Sequence, residues 1–212
     1  MRAFVIAMPN EAEAVRPHLK ADDRLYISGI GKVNAAAAAQ KAICEGADEI
    51  WNVGLCGGFG DDIEVGDVFT VDRAVEYDFD LAKLNGTRVG QLNEYDTPYL
   101  PLEGISNLKS RISESGRISE SGAELRGRVL ATGDHFNDSE ADYSLITKEL
   151  GASLRDMEGA AIAHVCKREG VRCHAVKCVT NVAGKGSMTG QYEENTRRCL
   201  ERLSNAMKGL LG

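Results

Sequence analysis

The sequence contains little proline and few aromatic residues. Four of its 212 residues are proline, one is tryptophan, and aromatic side chains make up 6% of the chain, whereas glycine occurs 23 times. This balance argues against a disordered chain and is typical of an α/β fold in which strands and helices are joined by tight turns. The length fits one domain that spans residues 1–212.

The chain also lacks an excess of positive charge and any long apolar run. It carries 25 basic and 32 acidic residues, a formal net charge of −7, so its surface as a whole repels nucleic-acid phosphates and anionic membranes. No apolar segment is long enough to span a bilayer, and the N-terminus has no signal-peptide pattern. We therefore expect neither a nucleic-acid partner nor a membrane partner.

Patterns of metal and redox sites are missing as well. The six cysteines form no C-x-x-C pair, and several lie in apolar runs, which predicts reduced core residues of a cytoplasmic protein. None of the four histidines is spaced with another like a metal pair, and there is no G-x-S-x-G segment. We expect no metal, no cofactor and no serine-hydrolase triad.

Short apolar segments alternate with helical segments along most of the chain. Strands are predicted at residues 3–7, 24–28, 49–53, 68–77, 128–132, 152–155 and 174–180, and helices at 11–18, 32–45, 139–150, 158–168 and 192–211. This alternation favours a layered α/β fold with a largely parallel sheet. The pattern weakens between residues 78 and 125, where the hexapeptide R-I-S-E-S-G occurs twice in tandem at 111–122; we interpret it as a duplicated surface segment.

In such folds the ligand binds at the carboxyl ends of the strands. The residues that follow the predicted strands are Glu11, the turn 29–31, the glycine-rich loop 54–60, Tyr77 and Asp78, the segment 134–136, Met157 and Glu158, and Thr180 and Asn181. Carboxylates, an aromatic ring, an amide and glycine-rich turns suit a neutral polar molecule with a flat ring. The segment from Gly29 to Asn34 departs from the dinucleotide fingerprint at its last position, so dinucleotide binding is not favoured.

Seven segments give a more specific indication. They are A-M-P-N-E (7–11), S-G-I-G-K-V-N-A-A (28–36), N-V-G-L-C-G-G (52–58), V-G-D (65–67), T-G-D-H-F (132–136), D-M-E-G-A-A-I-A-H-V-C (156–166) and V-T-N-V-A (179–183). In these segments and their order the chain resembles the purine nucleoside phosphorylase superfamily, and most closely the 5′-methylthioadenosine/S-adenosylhomocysteine nucleosidases. The resemblance implies a three-layer α/β/α fold around a mixed, mostly parallel sheet, cleavage of the N-glycosidic bond of a purine nucleoside by water, and a homodimer.

The resemblance also implies roles for individual residues. Glu11 matches the glutamate that positions and deprotonates the attacking water, and Glu158 matches the glutamate that accepts hydrogen bonds from the ribose hydroxyls. Met157 matches the methionine that packs on the sugar. Phe136 matches the aromatic residue that stacks on the base, and the backbone at Asn137 matches the group that recognises the edge of the base. The predicted substrate-binding residues are completed by Leu55, Gly57 and Thr180.

Asn181 departs from the family's pattern. The nucleosidases carry an aspartate here, which protonates or hydrogen-bonds N7 of the departing adenine. An amide cannot deliver a proton, although it can donate and accept hydrogen bonds. Our hypothesis is that Asn181, which we keep among the predicted catalytic residues, shifts the preferred base toward 6-oxopurines, as in inosine-like or futalosine-like nucleosides.

Two further positions depart from the pattern. Leu55 replaces a small hydroxyl residue that helps to hold water or sugar, which makes that wall drier. Lys177 stands where the family usually has an arginine; it either holds Glu158 ionised or faces the surface.

The nucleophile is predicted to be water. Asn52 stands where phosphorylases carry an arginine for phosphate, and the charge of Glu11 would repel phosphate. Two alternatives remain open, a phosphate-dependent purine nucleoside phosphorylase and a weakly active nucleoside-binding protein of the same fold.

Overall fold

The computed structural model describes residues 1–104 and 128–212, so the tandem hexapeptide lies outside the described residues. The strands are β1 (Arg2–Ile6), β2 (Arg24–Ile27), β3 (Glu49–Gly58), β4 (Val68–Glu76), β5 (Leu100–Pro101), β6 (Arg128–Thr132), β7 (Leu154–Asp156) and β8 (Arg172–Val182). The helices are α1 (Pro9–Val15), α2 (Lys32–Cys44), α3 (Ala82–Asn85), α4 (Glu140–Ser144), α5 (Gly159–Glu169) and α6 (Met188–Leu211). A 3₁₀ turn follows α1 at Arg16–His18, and a π-helical turn follows α4 at Leu145–Glu149.

The eight strands of the described ranges form one mixed sheet. Their order is β2-β1-β3-β7-β6-β4-β5, and β8 pairs with both β3 and β4. Strands β3, β7, β6, β4 and β8 therefore close into a ring, because each is hydrogen-bonded to the next. The pairs β1–β2, β1–β3, β3–β8, β4–β6 and β6–β7 are parallel. This confirms the mixed, mostly parallel sheet.

Helices cover the sheet on both faces. Helix α2 packs with α5 over one apolar cluster, to which α2 contributes the fully buried Ala35, Ala39 and Ala42. Helix α6 packs with α1 over a second cluster, where Leu203 and Met207 are buried at helical spacing. The predicted three layers are thus confirmed. None of the described helices is both long and apolar enough to cross a bilayer.

Strand β3 differs from its predicted extent. We expected it to end at residue 53 and to be followed by a loop, but it continues to Gly58. A Cβ on Gly54 would lie 2.8 Å from Glu11 Oε1, and one on Gly57 would lie 3.0 Å from Asn181 Nδ2. The glycines therefore do not break the strand; they leave room over it for two side chains predicted to be catalytic. Strand β8 likewise runs beyond its predicted end at Thr180, through Asn181 to Val182.

Candidate active site

Glu11 lies at the carboxyl end of β1, in the first turn of α1, where a carboxylate also complements the helix dipole. Its side chain is 3% exposed. Oε1 accepts a hydrogen bond from the Leu55 amide at 2.7 Å, and Oε2 accepts one from the Met8 amide at 3.0 Å. Burial raises the pKa of Glu11, while the Leu55 amide and Lys177 act in the opposite direction. A fixed carboxylate with a raised pKa is suited to accept a proton near neutral pH.

Glu158 lies immediately before α5 and is also buried. Its Oε1 accepts a hydrogen bond from the Gly31 amide at 2.9 Å, which joins the predicted glycine turn to the predicted ribose-binding residue. Burial raises the pKa of Glu158 to about 7, and the charge of Asp156 adds to the rise, whereas Lys177 and the Gly31 amide oppose it. Near neutral pH this carboxyl group therefore exists in both protonation states.

The raised pKa of Glu158 predicts a pH-dependent effect of Glu158→Gln on stability. Between the ordinary value of 4.5 and about 7, the folded chain binds more protons at this position than the unfolded chain. The contribution of Glu158 to the free energy of unfolding is therefore lost as the pH rises through this window. Relative to that of wild type, the free energy of unfolding of Glu158→Gln should be about 3 kcal/mol higher at pH 8 than at pH 4.

Urea unfolding of both proteins at the two pH values measures this difference. Glu169→Gln, an exposed position on the same helix, is the matched control and should show no such change. A Glu158→Gln difference that is equal at pH 4 and pH 8 would contradict the assignment of the raised pKa.

Lys177 is not on the surface. It is 1% exposed, and its Nζ lies 2.8 Å from Asp156 Oδ2. The partner of Lys177 is therefore Asp156, and its effect on Glu158 is through space. Burial acts to lower the pKa of Lys177, but the charges of Asp156, Glu158 and Glu11 outweigh burial and raise it. The lysine stays protonated because Asp156, Glu158 and Glu11 surround it with negative charge.

Asp156 is held from three sides. In addition to Lys177, it accepts hydrogen bonds from the Thr132 hydroxyl at 2.6 Å and from the Gly159 amide at 2.9 Å. The Thr132 hydroxyl in turn accepts one from the Ala160 amide. This network fixes the start of α5, and with it the position of Glu158.

Asn181 and Thr180 lie side by side near the end of β8, and both are buried. The Thr180 hydroxyl lies 2.9 Å from Asn181 Oδ1 and 3.2 Å from the Cys56 carbonyl oxygen. When the hydroxyl donates to Oδ1, the amide presents its Nδ2 as the free donor; Nδ2 has no acceptor among the described residues and lies over Gly57. The site thus offers a hydrogen-bond donor beside the carboxyl ends of β3 and β8.

The remaining predicted residues line the surroundings. The amide of the buried Leu55 binds Glu11, and Met157 lines a cavity of about 260 Å³ with the turn that precedes α2. Asn137 lines a second cavity of about 420 Å³. Phe136 is 49% exposed and meets the ring of Tyr192 edge-on, with 5.9 Å between ring centroids.

Sequence reasoning missed two side chains near the site. Tyr192 was predicted only as the start of the last helix, which begins at Met188; its hydroxyl lies 3.7 Å from Met8 Sδ, and the charge of Glu11 contributes to the raised pKa of Tyr192 after burial. For Arg155 the sequence predicts only the last position of the short strand at 152–155. A charged residue beside the D-M-E segment was the signal that could have indicated it, since arginine is almost never fully buried without a partner.

Comparison with known proteins identifies the class to which this fold and site belong. The model of the phosphorylase superfamily matches residues 24–212, and the chain belongs to that superfamily. Among curated relatives, an aminodeoxyfutalosine nucleosidase of Campylobacter jejuni is 30% identical over 76% of this chain and 68% of its own length. A 5′-methylthioadenosine/S-adenosylhomocysteine nucleosidase of Thermotoga maritima is 31% identical over 82% and 70%. The resemblance predicted from the sequence is confirmed.

Solved structures agree on the fold. The 5′-methylthioadenosine/S-adenosylhomocysteine nucleosidase of Helicobacter pylori, in complex with a substituted pyrrolidin-3-ol, superposes with a TM-score of 0.84 at 20% identity, covering 99% of this chain and 97% of that chain. A futalosine hydrolase of Helicobacter pylori gives a TM-score of 0.84 at 19% identity, with 99% and 96% covered. These matches show the nucleoside phosphorylase-like fold.

Proposed function

We propose that the chain is a purine nucleoside N-ribosyl hydrolase that uses water as its nucleophile. The observation that carries the proposal is the position of Glu11, whose two oxygens accept hydrogen bonds from the Leu55 and Met8 amides. Backbone amides at such a strand end could otherwise bind phosphate. Here a carboxylate occupies them. The buried Asn52 is neutral and therefore supplies no cation for phosphate. Its side-chain amide donates a hydrogen bond to the Val5 carbonyl oxygen at 3.3 Å.

The charges around Glu11 suit the cleavage of a glycosidic bond. As the bond to the base breaks, the sugar develops the positive charge of an oxocarbenium ion. Glu11, Asp156 and Glu158 bring three carboxyl groups to the site, and Lys177 compensates Asp156 directly. We assign Glu11 to the deprotonation of water and Glu158 to the ribose hydroxyls. The negative charge of carboxylates at these positions stabilises the developing cation and repels phosphate.

A base-release assay tests the proposal. Methylthioadenosine, S-adenosylhomocysteine, adenosine, inosine and futalosine are each incubated with the protein, with and without phosphate. Release of free base at equal rates in both buffers supports hydrolysis. Dependence on phosphate would overturn it in favour of a phosphorylase, and binding without release of any base would favour a nucleoside-binding protein.

Asn181 is proposed to favour a 6-oxopurine base. Its free Nδ2 can donate to an acceptor without any change of charge, whereas an aspartate at this position can carry a proton to N7. Asn181→Asp should therefore raise kcat/KM for adenosine relative to inosine by about tenfold or more, the factor that one hydrogen bond of this kind controls. Steady-state kinetics on the two nucleosides measure the ratio; an unchanged ratio would count against the idea.

We further propose that residues 1–212 form one domain that assembles as a homodimer in the cytoplasm. Ile30 and Val33, at the start of α2, are 52% and 80% exposed and lie beside the 260 Å³ cavity. Exposed apolar side chains next to a site favour an interface. The six cysteines are free, which supports a reducing compartment. Sedimentation equilibrium tests the dimer, and a monomer at micromolar concentration would contradict it.

A further inference from the structure

Arg155 is a buried cation without a counterion. The residue is 6% exposed, and in the ranges 1–104 and 128–212 no carboxylate forms an ion pair with it. Its Nη2 donates to the Asn137 carbonyl oxygen at 2.6 Å and lies 2.8 Å from Met188 Sδ. The guanidinium also lies over the Phe59 ring, 5.5 Å from its centroid. The Tyr77 hydroxyl lies near the guanidinium as well, close enough for the charge of Arg155 to oppose the effect of burial, which raises the pKa of Tyr77. Burial of an arginine beside neutral groups alone is costly, so a further acceptor from a ligand would stabilise it.

The position of Arg155 relates it directly to Asn181. Gly57 of β3 is the register partner of Arg155 in β7 on one side and of Asn181 in β8 on the other. Register partners project to the same face of a sheet, and two inter-strand spacings separate the two backbones by about 10 Å. Because Gly57 has no side chain, no Cβ stands between them. Arg155 and Asn181 therefore bracket one space above Gly57.

The Arg155 side of that space borders the 420 Å³ cavity, whose lining residues include neither Gly57 nor Asn181. Arg155 lines this cavity together with Asn137 and Met188, and the exposed Asp138 and Glu140 stand at it too. One cation and two carboxylates leave no excess of positive charge, so an anionic ligand is not favoured. A neutral heterocycle that presents acceptors to the guanidinium fits the arrangement better.

We propose that Arg155 is a specificity-determining residue that, with Asn181, selects a 6-oxopurine base over a 6-aminopurine base. This inference rests on the proposed function, since it assigns the base of the same nucleoside. A 6-oxopurine presents O6 and N7 as adjacent acceptors, whereas adenine presents the N6 amino group as a donor beside N7. A guanidinium has five N–H donors and no acceptor, so it matches the first pattern and opposes the second.

The hydrogen bond from Arg155 to Asn137 strengthens this selection. The resemblance assigns the recognition of the base edge to the backbone at Asn137, and a backbone carbonyl there is the natural acceptor for an amino group. In this chain a guanidinium nitrogen occupies that carbonyl at 2.6 Å. Arg155 thus converts the edge of the site from an acceptor into a donor, a change that Asn181 alone does not make because an amide both donates and accepts.

The test compares inosine with adenosine for wild type and for Arg155→Gln. Glutamine carries both a donor and an acceptor, so the variant should lose about 10- to 100-fold in kcat/KM for inosine, the discrimination typical of one two-point contact to a base edge, while adenosine is unchanged or improved. Arg155→Lys keeps the charge without the fork and should give an intermediate ratio. Arg197→Gln, an exposed arginine of α6, is the control and should leave the ratio at its wild-type value.

Calorimetric binding of hypoxanthine and adenine separates this inference from the proposed function. If wild type releases no base from any nucleoside, the hydrolase proposal fails, but tighter binding of hypoxanthine that Arg155→Gln reverses would still support the role of Arg155. If wild type cleaves nucleosides yet prefers adenosine, or Arg155→Gln and wild type share one ratio, the role of Arg155 is overturned and the hydrolase proposal stands. If Arg155→Gln does not fold, Arg155→Lys, which keeps the buried charge, supplies the same comparison: a ratio equal to that of wild type would overturn the role of Arg155.

Discussion

Glu11→Gln is expected to lower kcat for base release by about 10²- to 10⁴-fold, the contribution typical of one positioned general base. Glutamine retains an oxygen that can accept from the Leu55 amide, whose hydrogen bond to Glu11 is 2.7 Å long. The substitution keeps the shape of the site; it removes the proton acceptor and, because an NH₂ group cannot accept, one of the two backbone hydrogen bonds, to Leu55 or to Met8. KM and the binding of a nucleoside should change little, since water and not the nucleoside is the partner assigned to Glu11.

Glu13→Gln provides the matched control for this experiment. Glu13 lies on the same helix, two residues further on, and its side chain is exposed. It should retain wild-type kcat. Single-turnover kinetics and equilibrium binding on the same preparations separate the chemical step from affinity. Retention of more than a tenth of the wild-type kcat in Glu11→Gln would remove Glu11 from the role of base.

The pH dependence of kcat/KM also tests the role of Glu11. Burial raises the pKa of Glu11 above its ordinary value of 4.5, so the proton-accepting form is lost at a higher pH than for an exposed glutamate. The acid limb of the kcat/KM profile in wild type should therefore lie above pH 4.5. The limb also carries the titration of Glu158, whose pKa is raised to about 7 by burial first and, in a smaller part, by the charge of Glu11, so the limb is a property of both carboxyl groups.

The order of strands and helices could be predicted from the sequence because it depends on local apolar patterns. Strand β6 was predicted at its observed bounds, and helix α2 within one residue of them. The continuation of β3 to Gly58 could not be predicted, since glycine normally weakens a strand. The strand stays intact at Gly57 because it is paired with β7 on one side and with β8 on the other. These strands are distant in the chain, so a local sequence pattern does not reveal the pairing.

The site was predicted in part for the same reason. Glu11, Glu158 and Asn181 were predicted because the order of the matching segments marks them, and all three are buried in the structure. For Lys177 the sequence left two possibilities open, a place beside Glu158 or a place on the surface, and it did not indicate Asp156, which is 21 residues away in the chain. In the folded chain, Lys177 Nζ lies 2.8 Å from Asp156 Oδ2, and Glu158 instead accepts a hydrogen bond from the Gly31 amide.

Lys177→Met is expected to lower the free energy of unfolding by about 3–5 kcal/mol, the usual result of removing one partner of a buried ion pair. Methionine fills much of the same volume, so the loss comes from Asp156, which keeps the Thr132 and Gly159 hydrogen bonds but is left as an uncompensated buried charge. Loss of the ammonium also removes a charge that opposes the raised pKa of Glu158.

A double substitution distinguishes the charge of Asp156 from simple loss of packing. When Asp156→Asn is added to Lys177→Met, the buried charge disappears and the amide oxygen can still accept from Gly159. The double variant should therefore recover at least half of the lost stability, measured by urea unfolding, while the exposed Lys83→Met should match wild type. If the stability losses of Lys177→Met and Asp156→Asn simply add in the double variant, Lys177 and Asp156 do not act as a unit. Recovery would instead show that the lysine is kept to neutralise Asp156, the carboxylate that fixes the start of α5 and so holds Glu158 at the site.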